Sequence, residues 1–207
     1  MKVLVMGETS GRTRNAFRRR GHDTWSCDLL PADDGDPAHF HCDVRHVFHS
    51  FRPHFFDLMI AHPDCTYLTS SGLHWNLRNP ERAQKTMEAL TFVRWLMQCP
   101  VERWALENPR GCIGTQIRPA DQYIQPYQFG DDASKNTGLW LHNLPKLVID
   151  PSLRVPGRKV LHNGKWVERW ANQNDDGQNN IPERKGRWKE RSETYLGIAE
   201  AFARNWG

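Results

Sequence analysis

The sequence predicts an α/β fold: a mostly parallel sheet with helices on both faces and a short irregular insertion. Three observations lead there. Short apolar runs end repeatedly at Gly, Asp or Pro, as buried parallel strands do. Helical patterns alternate with these runs as far as residue 110, and beyond Arg110 they give way to a Pro-punctuated stretch. At 207 residues the chain has the length of one domain, 1–207, long enough to bury a continuous core.

The elements follow in order. MKVLVM at 1–6 is an apolar run ending at Gly7, the pattern of a buried strand entering a tight turn. Residues 12–20 read as a helix with Ala16 and Phe17 among five arginines, stopped by Gly21. TWSCDLL at 24–30 gives a second strand, and residues 39–47 hold a short third strand finishing at Cys42 and Asp43. FDLMIA at 56–61 is a strong buried strand that runs out at His62, Pro63 and Asp64. Residues 80–98 open with Pro at a first helical position and place Met87, Leu90, Val93, Trp95, Leu96 and Met97 on a broad apolar face. A strand over 104–107 follows. Prolines at 119, 126, 145, 151 and 156 then mark irregular hairpins, with 151–189 the most polar stretch, an insertion or loop. Residues 192–206 return to helix, with Ile198, Ala199, Ala201 and Phe202 facing a core.

Composition excludes several classes. Nine Trp and nine Phe are not the composition of a disordered chain. Five cysteines with no C-x-x-C pair indicate neither a disulfide framework nor a structural metal site, and reduced thiols in the cytoplasm fit best. No apolar run approaches a membrane span and no signal-peptide order is present, so the expected location is cytoplasmic. The net charge of +4 tilts the surface toward polyanions without demanding one.

In open α/β sheets, ligands bind beyond the carboxyl ends of the strands. That rule gathers Gly7-Glu8-Thr9-Ser10-Gly11, Asp28, Asp43, Pro63-Asp64-Cys65 and Glu107-Asn108-Pro109 on one edge. The glycine turn allows close backbone approach to a ligand, and Asp28 is placed to accept hydrogen bonds from ribose hydroxyls, which suits a nucleoside-like cofactor. Asp43 is placed either to meet an adenine amino group or to cap a helix. Cys65 sits in a Pro-bounded turn after a buried strand, where a core thiol would lie within the run. Glu107 ends WALE, where a carboxylate points into the cleft. Together they suggest a mechanism: cytosine carbon 5 becomes nucleophilic only when a thiolate adds at carbon 6. A carboxyl group at ring nitrogen 3 and the exocyclic amine then stabilises the developing charge.

The pattern resembles the cytosine-5 methyltransferase family, whose catalytic loop carries Pro-Cys and whose glutamate lies in Glu-Asn-Val; here stand Pro63-Asp64-Cys65 and Glu107-Asn108-Pro109. The chain resembles more closely a group of short phage and prophage cytosine methyltransferases, through GETSGRTRNAF, SCDLLP, AHPDCTYL, ALENP, QPYQFGDDASKNTGLWL and RSETYLGIAEAF, a likeness that spans nearly its whole length. The resemblance implies a Rossmann-like methyltransferase fold, S-adenosyl-L-methionine as cofactor, and transfer to carbon 5 of cytosine in DNA. It implies that Glu8, Thr9, Ser10 and Gly11 line the methionine end of the cofactor, that Asp28 holds its ribose, that Asp43 meets its adenine and that Pro63 borders it. Cys65 and Glu107 inherit the catalytic roles, with Lys135 or Gln128 as further candidates to hold the base or a phosphate.

Two departures stand out. Asp64 precedes the nucleophile, and an anion beside a thiol raises its pKa, to be offset by His62, His74 or an arginine. The segment before the last helix is too short for a large target-recognition domain, so duplex DNA, single-stranded DNA and a free nucleotide or RNA pyrimidine are all candidate substrates. For duplex DNA the base must leave the stack, with Tyr67, Trp75, Tyr123 and Tyr127 as stacking candidates. The arginines of the first helix and RKGRWKER at 184–191 are candidate phosphate contacts. A catalytically decayed binding module is the competing reading.

Overall fold

The computed structural model describes residues 1–180 and 192–207. A seven-stranded sheet organises the chain: β1 (Lys2–Met6), β2 (Asp23–Asp28), β3 (His39–His41), β4 (Leu58–Ala61), β5 (Arg103–Pro109), β6 (Gln122–Ile124) and β7 (Thr137–His142). Their spatial order is β3-β2-β1-β4-β5-β7-β6. The first five run parallel, and β7 is antiparallel to both β5 and β6. This order, with one reversed strand between β5 and β6, is that of the Rossmann-like methyltransferase fold.

The alternation of side chains along each strand divides the core in two. Leu4, Met6, Met59, Ala61, Trp104 and Leu106 face α2 (Val44–Ser50), α4 (Pro80–Leu96) and the short α5 (Ile113–Gln116). Val3, Val5, Leu58, Ile60, Ala105 and Leu139 face α1 (Arg12–Arg19) and α6 (Leu196–Trp206), the last contributing Ile198, Phe202 and Trp206. Val3, Leu4 and Val5 are completely buried, and each such side chain contributes about 1.5–3 kcal/mol. A one-turn α3 (Ser70–Leu73) lies between β4 and α4.

Several expected boundaries shift for local reasons. The helix over 44–50 went unforeseen because His and Arg obscure its apolar face; Asp43 caps it by accepting from Arg45 N at 2.9 Å. On α4, Leu90, Val93 and Leu96 are buried as expected, whereas Met87 is more than half exposed. Asn79 caps that helix, accepting from Arg82 N with Pro80 behind it. Within the expected polar insertion, β8 (Arg158–His162) and β9 (Lys165–Arg169) form a hairpin, closed by Asn163 and Gly164 at φ 50° and 75°, the two positive φ values of a type I′ turn. Its root is pinned by Trp170, which stacks on Tyr127 at 3.9 Å and donates Nε1–H to Val155 O. The basic stretch 184–191 lies outside the described residues. Among the described residues no helix is long and apolar enough to cross a membrane.

Candidate active site

The site is set by strand register. β4 and β5 pair in parallel with Ala61 opposite Leu106, so His62, the first residue past β4, comes beside Glu107 within β5, and Pro63 comes beside Asn108. Both neighbours bond. His62 Nδ1 lies 2.9 Å from Glu107 Oε2, with both side chains less than a tenth exposed. Asn108, 1% exposed, donates Nδ2–H to Pro63 O at 2.8 Å and thereby ties the Cys65 loop to β5.

Cys65 follows at the head of a turn, its carbonyl accepting from Leu68 N and Thr69 N. The rest of the loop is zipped to the segment after β5: Cys112 N donates to Leu68 O, and Ser70 N to Arg110 O. A Cβ on Gly111 would collide with the Leu68 carbonyl, so this close approach requires glycine. Cys27, Cys99 and Cys112 are buried in the α4-side core and Cys42 packs against it; Cys65 belongs to neither core cluster.

Electrostatically the thiol and the carboxyl diverge. Burial alone would push Glu107 up, but Lys135, the His62 hydrogen bond and Thr137 outweigh it and hold the group below the ordinary glutamate value. Burial is also the largest influence on Cys65, and it raises the thiol; Lys135 opposes this, while Asp64 and Glu107 reinforce it, leaving the thiol above its ordinary value. Asp64 is exposed and turns its carboxylate back onto Thr66, accepting from both N and Oγ1. The cation acting on both Cys65 and Glu107 is Lys135, just before β7. His62, expected as an offset for Asp64, bonds Glu107 instead.

No protein-family model matches this chain, and no curated protein matches it. Among solved structures it is similar to a candidate DNA modification methyltransferase encoded within an E. coli prophage, at 14% identity and a TM-score of 0.44. The match covers 68% of this chain and 46% of that one, so the chain spans less than half that protein's length. So remote a likeness decides no chemistry.

The expected cofactor residues divide. Gly7 (φ 74°) and Gly11 (φ 68°) adopt left-handed backbone conformations around the β1 turn, and a Cβ on Gly7 would strike the His62 carbonyl, so this turn and the Cys65 loop touch. Glu8 is buried beneath the turn, its oxygens accepting from Thr13 N at 2.6 Å and Arg14 N at 3.0 Å; it caps α1. Thr9 donates Oγ1–H to Asp33, and Ser10 Oγ lies 3.4 Å from Arg12 N. Asp28, at the end of β2, accepts from Leu30 N and is flanked by the exposed Leu29 and Leu30. A carboxylate beside exposed apolar side chains fits the hydroxyls and flat base of a nucleoside. Asp43 is spent on its helix and on Arg45, which bonds both its oxygens. Gln128 likewise accepts from Gln125 N and closes a capping box.

Among the α1 arginines expected to contact phosphate, only Arg14 is withdrawn from solvent. Arg14 is fully buried and binds Asp34 and Ser26, Arg18 binds Asp36, Arg19 and Arg20 meet Glu200, and Arg12 meets Glu193. Carboxylates of the chain pair with all five, and Arg19 and Arg20 remain exposed. Of the aromatic candidates, Tyr127 is covered by Trp170, and Tyr67 lies under Arg82 at 5.0 Å; Trp75 and Tyr123 stay about half exposed. Sequence reasoning missed Asn108 as the anchor of the Cys65 loop, although its place in Glu107-Asn108-Pro109 was the signal.

Proposed function

We propose that this protein transfers a methyl group from S-adenosyl-L-methionine to carbon 5 of cytosine in DNA, duplex or single-stranded. The observation that carries the reading is the convergence of Cys65, Glu107 and Lys135 at the carboxyl edge of the sheet, beside the β1 turn and Asp28. Cys65 Sγ forms a bond to carbon 6 of the base, and electron density shifts through the ring toward nitrogen 3 and carbon 5. Glu107 receives the face bearing nitrogen 3 and the exocyclic amine, and Lys135 offsets the negative charge in the site. Thr9, Ser10 and Gly11 would border the methionine end of the cofactor, Asp28 would hold its ribose and Pro63 would line it; the bound cofactor supplies an electrophilic methyl group on sulfonium. Loss of the carbon 5 proton to water or a base then lets Cys65 leave. The half-exposed Trp75 and Tyr123 are the aromatic faces available to a base outside a stack.

The raised Cys65 thiol favours a second reading, a binding module without catalysis. The two separate on one experiment. Native protein forms a covalent adduct with 5-fluorocytosine-containing DNA in the presence of S-adenosyl-L-methionine, and Cys65→Ala forms none; absence of adduct from both selects the binding module. Label transferred to free dCMP as readily as to DNA would make a nucleotide the substrate.

A further inference from the structure

We infer that the hairpin of β8 and β9 is a docking surface for single-stranded DNA, on which Trp166 stacks against an unpaired base while Lys159 and Lys165 meet the phosphates. The inference deepens the methyl-transfer reading by choosing the strand form of the substrate, and it rests on that reading for DNA as the partner.

The pleat sorts the hairpin into two faces. Register sets Lys159 against Glu168, Val160 against Val167 and Leu161 against Trp166. Arg158, Val160 and His162 therefore share a face with Val167 and Arg169, and the segment 173–178 is tied to it. Arg158 pairs with Asp175 and donates to Gln173 O, Arg169 donates Nε–H to Asp175 O, and His162 lies 3.6 Å from Asp176. The opposite face carries Lys159, Leu161, Trp166 and Glu168. Leu161 and Trp166 form one apolar patch there, and packing across the pair still leaves them 59% and 71% exposed. Lys159, on that face, and Lys165, at the turn beside Trp166, are exposed and form no hydrogen bond or ion pair among the described residues. Glu168 is already held by Arg154 and by Gly157 N, so it does not cancel the lysines.

This chemistry selects the partner. An indole stacks on the flat face of any base, and lysines follow a phosphate backbone. In a duplex those flat faces are covered by neighbouring bases. Reading base edges in a groove takes side chains with paired donors or acceptors. On this hairpin Arg158 and Arg169 are spent on 173–178, and Asn163 meets His162 Nε2 at 3.0 Å. The open face thus suits an unpaired strand better than a duplex.

The hairpin's root stands beside the site. Ser134 and Asn172 exchange two hydrogen bonds of 2.9 Å, and Ala171 N donates to Asp132 at 3.0 Å. The residue after Ser134 is Lys135, the cation acting on Cys65 and Glu107. Together with the stack of Trp170 on Tyr127, these bonds supply the anchoring that an isolated two-stranded hairpin lacks. Trp166 takes no part in the root and is left to a ligand.

The test reads binding by fluorescence anisotropy of a short labelled DNA strand containing cytosine, alone and annealed to its complement. Native protein binds the single strand more tightly than the duplex. Trp166→Ala weakens single-strand binding about tenfold or more and duplex binding less than threefold, and Trp166→Phe, which keeps an aromatic face, stays within about threefold of native. Replacing both lysines, Lys159→Gln and Lys165→Gln, lowers the slope of log Kd against log salt by about one. Native affinity for the single strand in Trp166→Ala, equal losses on single strand and duplex, or an unchanged salt slope in the lysine variant overturns the inference. A native dimer that Trp166→Ala dissociates in sedimentation also overturns it, because a second copy then covers the face. The methyl-transfer reading fails separately: protein that binds single strands through Trp166 but labels no cytosine loses the chemistry and keeps the docking surface, whereas label on cytosine with binding indifferent to Trp166 removes the docking surface alone.

Discussion

The Asn108 anchor yields a prediction whose size follows from burial alone. Asn108 is 1% exposed and its Nδ2–H is the donor that holds Pro63 O, at 2.8 Å. Asn108→Ala leaves that carbonyl buried without its donor, a cost of about 1–3 kcal/mol. The side chain's own Oδ1 has no partner among the described residues, so its removal returns part of that cost and keeps the net loss toward the lower half. For a domain of this size 1 kcal/mol corresponds to about 2–4 °C, so the Tm followed by circular dichroism should fall by about 2–8 °C. Asn108→Asp sharpens the test. A buried aspartate facing a carbonyl oxygen must be protonated to donate to it, so its folded pKa lies above the unfolded value. The stabilisation it confers is complete below the unfolded pKa and is lost as pH rises through the folded one. The Tm deficit of Asn108→Asp relative to native should therefore widen from pH 5 to pH 8. A deficit below 1 °C in Asn108→Ala, or a pH-independent one in Asn108→Asp, refutes the anchor.

Two further predictions concern the same loop. Gly7→Ala forces a side chain into a φ of 74° and against the His62 carbonyl, and should lower the Tm by at least as much as Asn108→Ala, read in the same melt. Cys65 carries a raised pKa and so should alkylate slowly with iodoacetamide at pH 7, with a rate still climbing above pH 9; Lys135→Met should slow it further, since Lys135 is the group that pulls the thiol down. Fast, pH-independent alkylation at neutral pH would contradict the buried thiol.

Much of the fold was legible because buried parallel strands are apolar on both faces and stop abruptly. Val3, Leu4 and Val5 are all buried although they point to opposite cores, which is why KVLVM reads as a run instead of an alternation. Arg14 was misjudged for the opposite reason. A helix-wheel argument sends charge to solvent, but the partners that draw Arg14 and Arg18 inward are Asp34 and Asp36, in a loop whose docking no local pattern encodes. Asp43 was ambiguous from composition, since an acidic residue after a strand precedes either a ligand or a helix; the structure spends it on α2.

Register marks the limit of the reading at the site itself. The sequence places His62 near Cys65, three residues away along the chain, and on that basis His62 was expected to serve the thiol. Parallel pairing of β4 with β5 sets Ala61 against Leu106, and only that fact brings His62 to Glu107, 45 residues distant. A slip of one residue would send the side chains of β4 to the opposite cores and move His62 away from its carboxylate. The register is held by its own burial pattern, since Met59 and Ala61 belong to one core and Leu58 and Ile60 to the other. The packing that stabilises the sheet therefore also selects which acid the histidine meets. For that reason a core substitution in β4, remote from any ligand, should alter the Glu107 titration before it alters the reactivity of Cys65, whose loop is separately tied to β5 and the segment after it.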